Sequence, residues 1–137
     1  NRTDVTSEMA CFSLFYKLLS AVAEENSSIY QTSYIQEALD YMHTHYTDNQ
    51  CKDSLCEMFF LNKNYFSRIF KKETGKTISE YIREKRIKHA AHLLKTTHLQ
   101  IQTVALHCGI MDVQYFSKNF KRHTGKTPNE YRKEFKK

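Results

Sequence analysis

Residues 114–133 read QYFSKNFKRHTGKTPNEYRK, and residues 64–83 read NYFSRIFKKETGKTISEYIR. The two stretches lie 50 positions apart, and 11 of their 20 positions are identical, where chance would give about one or two. Each copy predicts a short helix, a tight turn, a long helix that ends at a glycine, and a capped helix after it. The chain therefore carries a duplicated helical unit, and this duplication decides its architecture.

The rest of the chain is predicted to be helical as well. It holds three glycines and one proline in 137 residues, and its apolar residues recur with the helical period instead of alternating. This pattern predicts an all-α fold. The predicted helices span Ser7–Glu25, Ser33–Tyr46, Asp53–Met58, Lys63–Thr74, Thr77–Lys95, Ile101–His107, Asp112–His123 and Thr127–Phe135.

Local signals mark where several of these helices begin and end. Thr77 with Glu80, and Thr127 with Glu130, have the spacing of a capping box, in which the two side chains satisfy free backbone amides. Pro128 stands at the first helical position, where a missing amide costs nothing. Further signals of the same kinds are Ser33 with Gln36, Asn62 as an N-cap, and Gly75 and Gly125 as left-handed stops.

The turns that precede the two long helices are unequal. Ala105 and Gly109 stand four positions apart in the second copy, where a small residue lets two helices cross closely and glycine permits a positive φ. Cys56 and Phe60 take these places in the first copy. We expect the first turn to be strained or differently shaped, while the long helix after it still forms.

Charge is distributed unevenly along the chain. Residues 1–61 hold 3 Lys or Arg and 9 Asp or Glu, a balance of −6, whereas residues 62–137 hold 18 and 6, a balance of +12. A basic half of this kind is typical of a protein that binds a polyanion, because neutralised phosphates release counterions. A solvated lysine-rich surface would give the same balance, so charge alone leaves the partner open.

Motifs for metal, nucleotide or catalytic chemistry are absent from the sequence. The four cysteines, Cys11, Cys51, Cys56 and Cys108, lack Cys-x-x-Cys spacing and have apolar neighbours, so we expect reduced core residues and a cytoplasmic protein. The two Gly-Lys-Thr segments lack the earlier glycine of a phosphate-binding loop. We expect no metal, no cofactor and no enzymatic activity, and no stretch is apolar enough to span a membrane.

The longest motif runs from Gly109 to Arg132 and has the pattern Gly-Ile-x-Asp-x-x-Tyr-Phe-Ser-x-x-Phe-Lys-x-x-Thr-Gly-x-Thr-Pro-x-x-Tyr-Arg. With Tyr65 to Gly75 and the segment Tyr81-Ile82-Arg83, it resembles the C-terminal DNA-binding domain of the AraC/XylS family of bacterial transcription regulators. The resemblance covers about Ser33 to Lys133. It implies two helix-turn-helix (homeodomain-like) subdomains joined by a long linker helix, with an extra N-terminal helix. The implied function is sequence-specific binding to double-stranded DNA that regulates transcription initiation.

A recognition helix presents to the major groove the face opposite its buried residues. The residues expected to be buried are Phe66, Ile69 and Phe70 in the first copy and Phe116 and Phe120 in the second. The resemblance places base contacts at Asn64, Ser67 and Arg68, and the outer face of the second helix offers Val113, Gln114 and Lys118. The residues predicted to contact phosphates are Lys63, Lys71, Lys72, Lys76, Lys121, Arg122 and Lys126.

The predicted organisation has four parts. Residues 1–31 form a helix and linker that end an upstream regulatory or dimerisation domain, 32–82 form the first helix-turn-helix subdomain, 83–96 the remainder of the linker helix, and 97–137 the second subdomain. Because the chain does not begin with Met, we expect a segment of a longer protein.

Candidate partners are operator or promoter DNA, RNA polymerase, and a second copy of the chain bound through the upstream domain or through residues 7–25. The apolar stripe of residues 7–25 is expected to pack on a second copy or on the domain itself. The alternative function is a basic helical module that binds an acidic protein, or DNA without sequence preference. The residues leave activation and repression equally open.

Overall fold

The computed structural model describes residues 14–19, 21–22, 33–58 and 63–136, and the only regular elements in these ranges are helices. The chain divides into two compact units, Asn1–Gln36 and Glu37–Lys137. The all-α class predicted from the sequence is confirmed. The subdomain boundaries proposed within the chain stay a prediction.

Seven helices follow one another between residues 33 and 135. They are α1 (33–45), α2 (Cys51–Met58), α3 (Lys63–Thr74), α4 (Ile78–Thr96), α5 (Ile101–His107), α6 (Val113–Thr124) and α7 (Pro128–Phe135). Their bounds agree with the prediction to within two residues. The largest difference is at α2, which begins two residues before Asp53. It begins early because the Gln50 carbonyl already accepts the Ser54 amide at 2.9 Å.

The predicted capping boxes form at both follow-on helices. The Thr77 side chain accepts the Glu80 amide at 3.2 Å, and the Glu80 carboxylate accepts the Thr77 amide at 2.8 Å. Thr127 and Glu130 repeat this arrangement at 3.3 and 2.8 Å. In each box the hydrogen bond from the threonine backbone amide to the glutamate carboxylate lowers the pKa of the glutamate. These bonds fix the chain direction directly after each recognition helix.

The linker helix α4 belongs to both halves of the duplicated fold. Near its start, Tyr81 packs edge-on against Phe70 of α3, with ring centroids 5.8 Å apart. In the second copy Tyr131 of α7 packs on Phe120 of α6 in the same way, at 5.3 Å. The first half of α4 therefore packs on the recognition helix of the first motif in the way that α7 packs on that of the second.

The second half of α4 forms part of another core. Ile87, Ala90 and Leu94 from this half are buried in a cluster with residues of the second motif, namely Val104, Ala105, Cys108, Ile110, Phe116 and Phe120. One continuous helix thus contributes to two hydrophobic cores, and the two motifs share a rigid element.

Several predictions fall partly or wholly outside the described residues. The expected helix Ser7–Glu25 is seen at 14–19 and 21–22, which are helical. Phe60 and Asn62, and with them the shape of the first turn, lie outside the described ranges. Whether the first turn is strained therefore stays a prediction.

The second turn brings two backbones unusually close together. Gly109 has φ +79°, and a Cβ built on it would lie 2.2 Å from the carbonyl oxygen of Thr47, in the loop between α1 and α2. Gly125 has the same φ of +79°, but a Cβ there would meet nothing within 4 Å. Glycine is therefore favoured at position 109 by both the positive φ and the lack of space for a Cβ, and at position 125 by the positive φ alone.

We expect Gly109→Ala to cost more stability than Gly125→Ala. The Gly125 variant adds only left-handed strain, about 1 kcal/mol, whereas the Gly109 variant adds a backbone clash and should lose about 2–4 kcal/mol. Urea unfolding of the two variants measures the difference. Equal losses of unfolding free energy in the two variants would show that the loop between α1 and α2 moves aside without cost.

Candidate nucleic-acid interface

Helices α3 and α6 each bury one aromatic face and expose a polar one. Phe66 and Phe70 of α3, and Phe116 and Phe120 of α6, have no exposed surface. Ile69, also predicted to be buried, is half-buried. Because four positions make about one helical turn, each phenylalanine pair points to one side, and the opposite side faces solvent.

The predicted base-contacting residues lie on these outer sides. In α3, Asn64 and Arg68 are exposed and Ser67 is half-buried. In α6, Gln114 and Lys118 are exposed and Val113, the first residue of the helix, is half-buried. The structure thus places three of them together on each helix, within four positions on α3 and within five on α6.

The start of α6 is held by a side-chain cap. Oδ1 of Asp112 accepts the Gln114 amide at 2.9 Å and the Tyr115 amide at 3.0 Å. An acceptor at this position satisfies amides that have no partner inside the helix. Asp112 therefore sets the backbone on which Val113 and Gln114 are presented.

Three of the lysines predicted to contact phosphate form ion pairs with carboxylates. Nζ of Lys63 lies 2.9 Å from Asp53. Lys76 lies 2.6 Å from Glu84, and Lys126 lies 2.5 Å from Glu134 at the equivalent place in the second copy. The hydrogen bond from Lys63 lowers the pKa of Asp53, and the bond from Lys76 lowers that of Glu84. Lys71, Lys72, Lys121 and Arg122 are exposed.

A basic residue that the sequence analysis did not select lies beside α6. Arg83 of the linker helix, Lys118 and Arg122 line one shallow cleft of about 240 Å³, together with Tyr115 and Asn119. In the sequence Arg83 stands out only as part of the family-like segment Tyr81-Ile82-Arg83, and its place beside α6 could not be predicted because its neighbours in this cleft come from a different helix. The cleft gathers three cations at the side of the second recognition helix.

The tyrosine that precedes the first buried phenylalanine of each recognition helix is accessible to solvent. Tyr65 is 40% exposed and Tyr115 is 47% exposed. Tyr115 also lines a second cleft, of about 330 Å³, which continues toward the α1–α2 loop and is also lined by Asp48, Lys52 and Arg83. The tyrosine rings therefore form part of the accessible surface near the recognition helices.

Other chemistry is not assembled in the part of the chain that the structure describes. Within it, no three His, Cys, Asp or Glu side chains come together as a metal site. Cys51, Cys56 and Cys108 are buried free thiols, and burial raises the pKa of Cys108 to about 12. These thiols act as small core residues. No helix in the described ranges is both long and apolar enough to cross a bilayer.

Comparison with known proteins agrees with this geometry. The family model of a helix-turn-helix domain matches residues 55–134, more than half of the chain and a span that includes both recognition helices. The chain belongs to the AraC-type helix-turn-helix family. This is a family of DNA-binding transcription regulators and not of enzymes, so the resemblance inferred from the sequence is confirmed.

Individual relatives are longer than the part of them that this chain matches. The chain is 32% identical over 100 residues to the uncharacterised regulator YijO of Escherichia coli K12, covering 69% of this chain and 35% of that protein. It is 35% identical over 77 residues to the transcriptional activator AarP of Providencia stuartii, covering 56% and 57%. The chain therefore spans about a third to little more than half of these relatives.

A solved structure shows the same fold. The C-terminal domain of AraT, a response regulator from Geobacillus stearothermophilus, matches with a TM-score of 0.69 at 31% identity, over 73% of this chain and 84% of that one. The fold of this chain is therefore also found in a solved domain of a response regulator.

We expect Asp112→Ala to loosen the start of the second recognition helix. Loss of the cap should lower the free energy of unfolding by about 1 kcal/mol and speed hydrogen exchange at the Gln114 and Tyr115 amides. Asp112→Asn keeps an acceptor and serves as the control. Unchanged protection of both amides in the alanine variant would contradict this role.

Proposed function

We propose that this chain binds double-stranded DNA sequence-specifically through both recognition helices and so regulates transcription initiation. The observation that carries the proposal is the pairing of two 12-residue helices, α3 and α6. Each of them buries its two phenylalanines completely and presents amide, hydroxyl and basic side chains to solvent. A helix of this kind fits the major groove, where base edges display distinct donors and acceptors.

The proposed base contacts follow from the chemistry of the exposed side chains. Arg68 can donate two hydrogen bonds to a guanine, and Asn64 can exchange two with an adenine. In the second helix Gln114 suits adenine, Lys118 suits guanine, and the methyl groups of Val113 suit the thymine methyl. Ser67, which is half-buried on the same side of α3, completes the first set.

The proposed phosphate contacts are the basic residues around these faces. Lys63, Lys76 and Lys126 already pair with carboxylates, but about half or more of each lysine side chain is exposed. Exposed ion pairs are worth about 1 kcal/mol or less, so a phosphate can replace the carboxylate. The remaining members of the set are Lys71, Lys72, Lys121, Arg122 and, from the structure, Arg83.

Two recognition helices in one chain imply two contacted segments of DNA. We propose that the helices enter successive major-groove turns, roughly 34 Å apart in B-DNA. Because both motifs contain part of α4, their separation is set by the protein, and on DNA that does not match it either the DNA bends or one motif disengages.

The remaining partners extend the proposal beyond DNA. AarP is named a transcriptional activator, and we propose that this protein also activates transcription through RNA polymerase in the bacterial cytoplasm. We propose a second copy of the chain as a further partner. Phe15, Leu18, Leu19 and Val22 recur at helical spacing, and each is more than half exposed. Such a stripe is typical of a helix that packs on another helix.

Selection of bound duplexes from a random pool tests the central proposal. We expect one preferred sequence with two conserved patches about one helical turn apart. Arg68→Ala should relax the preference in one patch only and Lys118→Ala in the other, each with a loss of roughly 1–3 kcal/mol. Loss of preference in a single patch in both variants would mean that one motif alone recognises bases.

The same selection decides between the proposal and its alternatives. A basic module for acidic proteins would enrich no sequence and would not shift DNA in the presence of competitor. A non-specific DNA binder would bind all duplexes with equal affinity and keep only a steep dependence on salt. Either result would reject sequence-specific recognition.

Arg83→Ala tests the cation that the structure adds to the interface. Loss of one phosphate contact should weaken binding to all sequences alike and make the slope of log K against log salt less negative by about one. Lys88→Ala removes an exposed charge from the same helix that lines neither cleft, and it is the matched control. If both variants keep the wild-type slope, Arg83 does not contact phosphate.

A further inference from the structure

One guanidinium joins the two helix-turn-helix motifs. Arg86 lies at the middle of α4, and its Nε donates to the Tyr46 carbonyl at 2.6 Å. Its Nη2 donates to the Asp48 carbonyl at 3.1 Å, and its Nη1 donates to the Gly109 carbonyl at 3.1 Å. The first two carbonyls belong to the loop before α2 and the third to the turn before α6. A single side chain thus binds the backbone on both sides of the junction.

The backbone at the junction is in direct contact as well. The Gly109 Cα lies so close to the Thr47 carbonyl that a methyl group could not be placed between them. Thr47 lies between the two loop residues that Arg86 binds. The guanidinium and the glycine therefore hold the same loop against the same turn from two directions.

This junction does not belong to the core of either motif. The α3 phenylalanine Phe70 packs on the start of α4, and Phe116 and Phe120 of α6 pack with the end of it. Arg86 is only partly buried, and burial lowers the pKa of its guanidinium. Arginine stays protonated in proteins regardless, and its planar fork keeps several N–H donors in a fixed geometry. That geometry suits the Tyr46, Asp48 and Gly109 carbonyls, which it holds in a fixed arrangement relative to one another.

We propose that Arg86 is a positioning residue that fixes the placement of one motif relative to the other and thereby the half-site spacing the protein accepts. The proposal rests on DNA binding through both motifs. When two binding elements are held at the correct separation, the second binds almost intramolecularly, and affinity for the joined site exceeds either part. If the junction loosens, part of that gain is lost, although each motif keeps its own contacts.

The test compares a joined operator with its separate halves. Binding is measured for wild type, Arg86→Met, and Lys88→Met, which removes an exposed charge from the same helix. The DNA targets are the selected operator, two versions with one half scrambled, and a series with one or two base pairs added or removed between the halves. We expect Arg86→Met to lose about 10-fold to 100-fold on the full operator and less than about 3-fold on either half.

The spacing series supplies an independent result. Wild type should show a sharp optimum, and Arg86→Met should show a flatter one, whereas Lys88→Met should match wild type on every target. Equal losses by Arg86→Met on full and half operators, or a flat wild-type profile, would overturn the inference. Failure of wild type to prefer any sequence would instead reject the proposed function.

A milder substitution guards against loss of folding. Arg86→Lys keeps the charge but cannot donate to three carbonyls at once, so it should fall between wild type and Arg86→Met in the ratio of full to half-site affinity. Thermal unfolding is recorded for each variant. If Arg86→Met does not fold, Arg86→Lys and the wild-type spacing profile decide the matter, and an Arg86→Lys ratio equal to wild type would overturn the inference.

Discussion

The rest of the structure depends on the burial of a phenylalanine pair in each recognition helix. Phe66 with Phe70, and Phe116 with Phe120, are removed completely from water. Burying a side chain of this size contributes about 2–3 kcal/mol, so these residues fix which side of each helix turns inward. The outward side takes no part in this burial, so its residues can differ without disturbing the phenylalanine pairs.

Electrostatics complements this division. Five acidic side chains near the basic surface are engaged. Asp53, Glu84 and Glu134 each bind a lysine, and Glu80 and Glu130 bind the backbone in the caps of α4 and α7. These five carboxylates are thereby held close to amides or ammonium groups. The basic half keeps its attraction for a polyanion, and the pairs separate at small cost because they are exposed.

Much of the fold could be predicted because its determinants are local. The capping boxes at Thr77 and Thr127 and the stop at Gly125 each involve residues within a few positions of one another, so spacing alone identifies them. The outer faces of α3 and α6 follow from helical periodicity. The contacts of Arg83 and Arg86 could not be predicted in this way, because their neighbours are distant in sequence. They lie on another helix for Arg83 and in a loop and a turn for Arg86. Sequence also gave no sign that Gly109 lies against Thr47, since that contact depends on how the two copies meet.

The two copies share their buried phenylalanines but differ at two of the positions proposed to contact bases. Phenylalanine occupies the equivalent positions 66 and 116, and again 70 and 120. In contrast, Asn64 aligns with Gln114, and Arg68 aligns with Lys118. A molecule with two different recognition surfaces in a fixed order has two ends that are not equivalent. With the proposed base contacts it would lie on an asymmetric site in one direction only, so a single copy of the domain would carry orientation information that a symmetric dimer on a palindrome lacks. The duplication would thus give the domain a polarity along the DNA, and every element attached to it would inherit a defined upstream and downstream side.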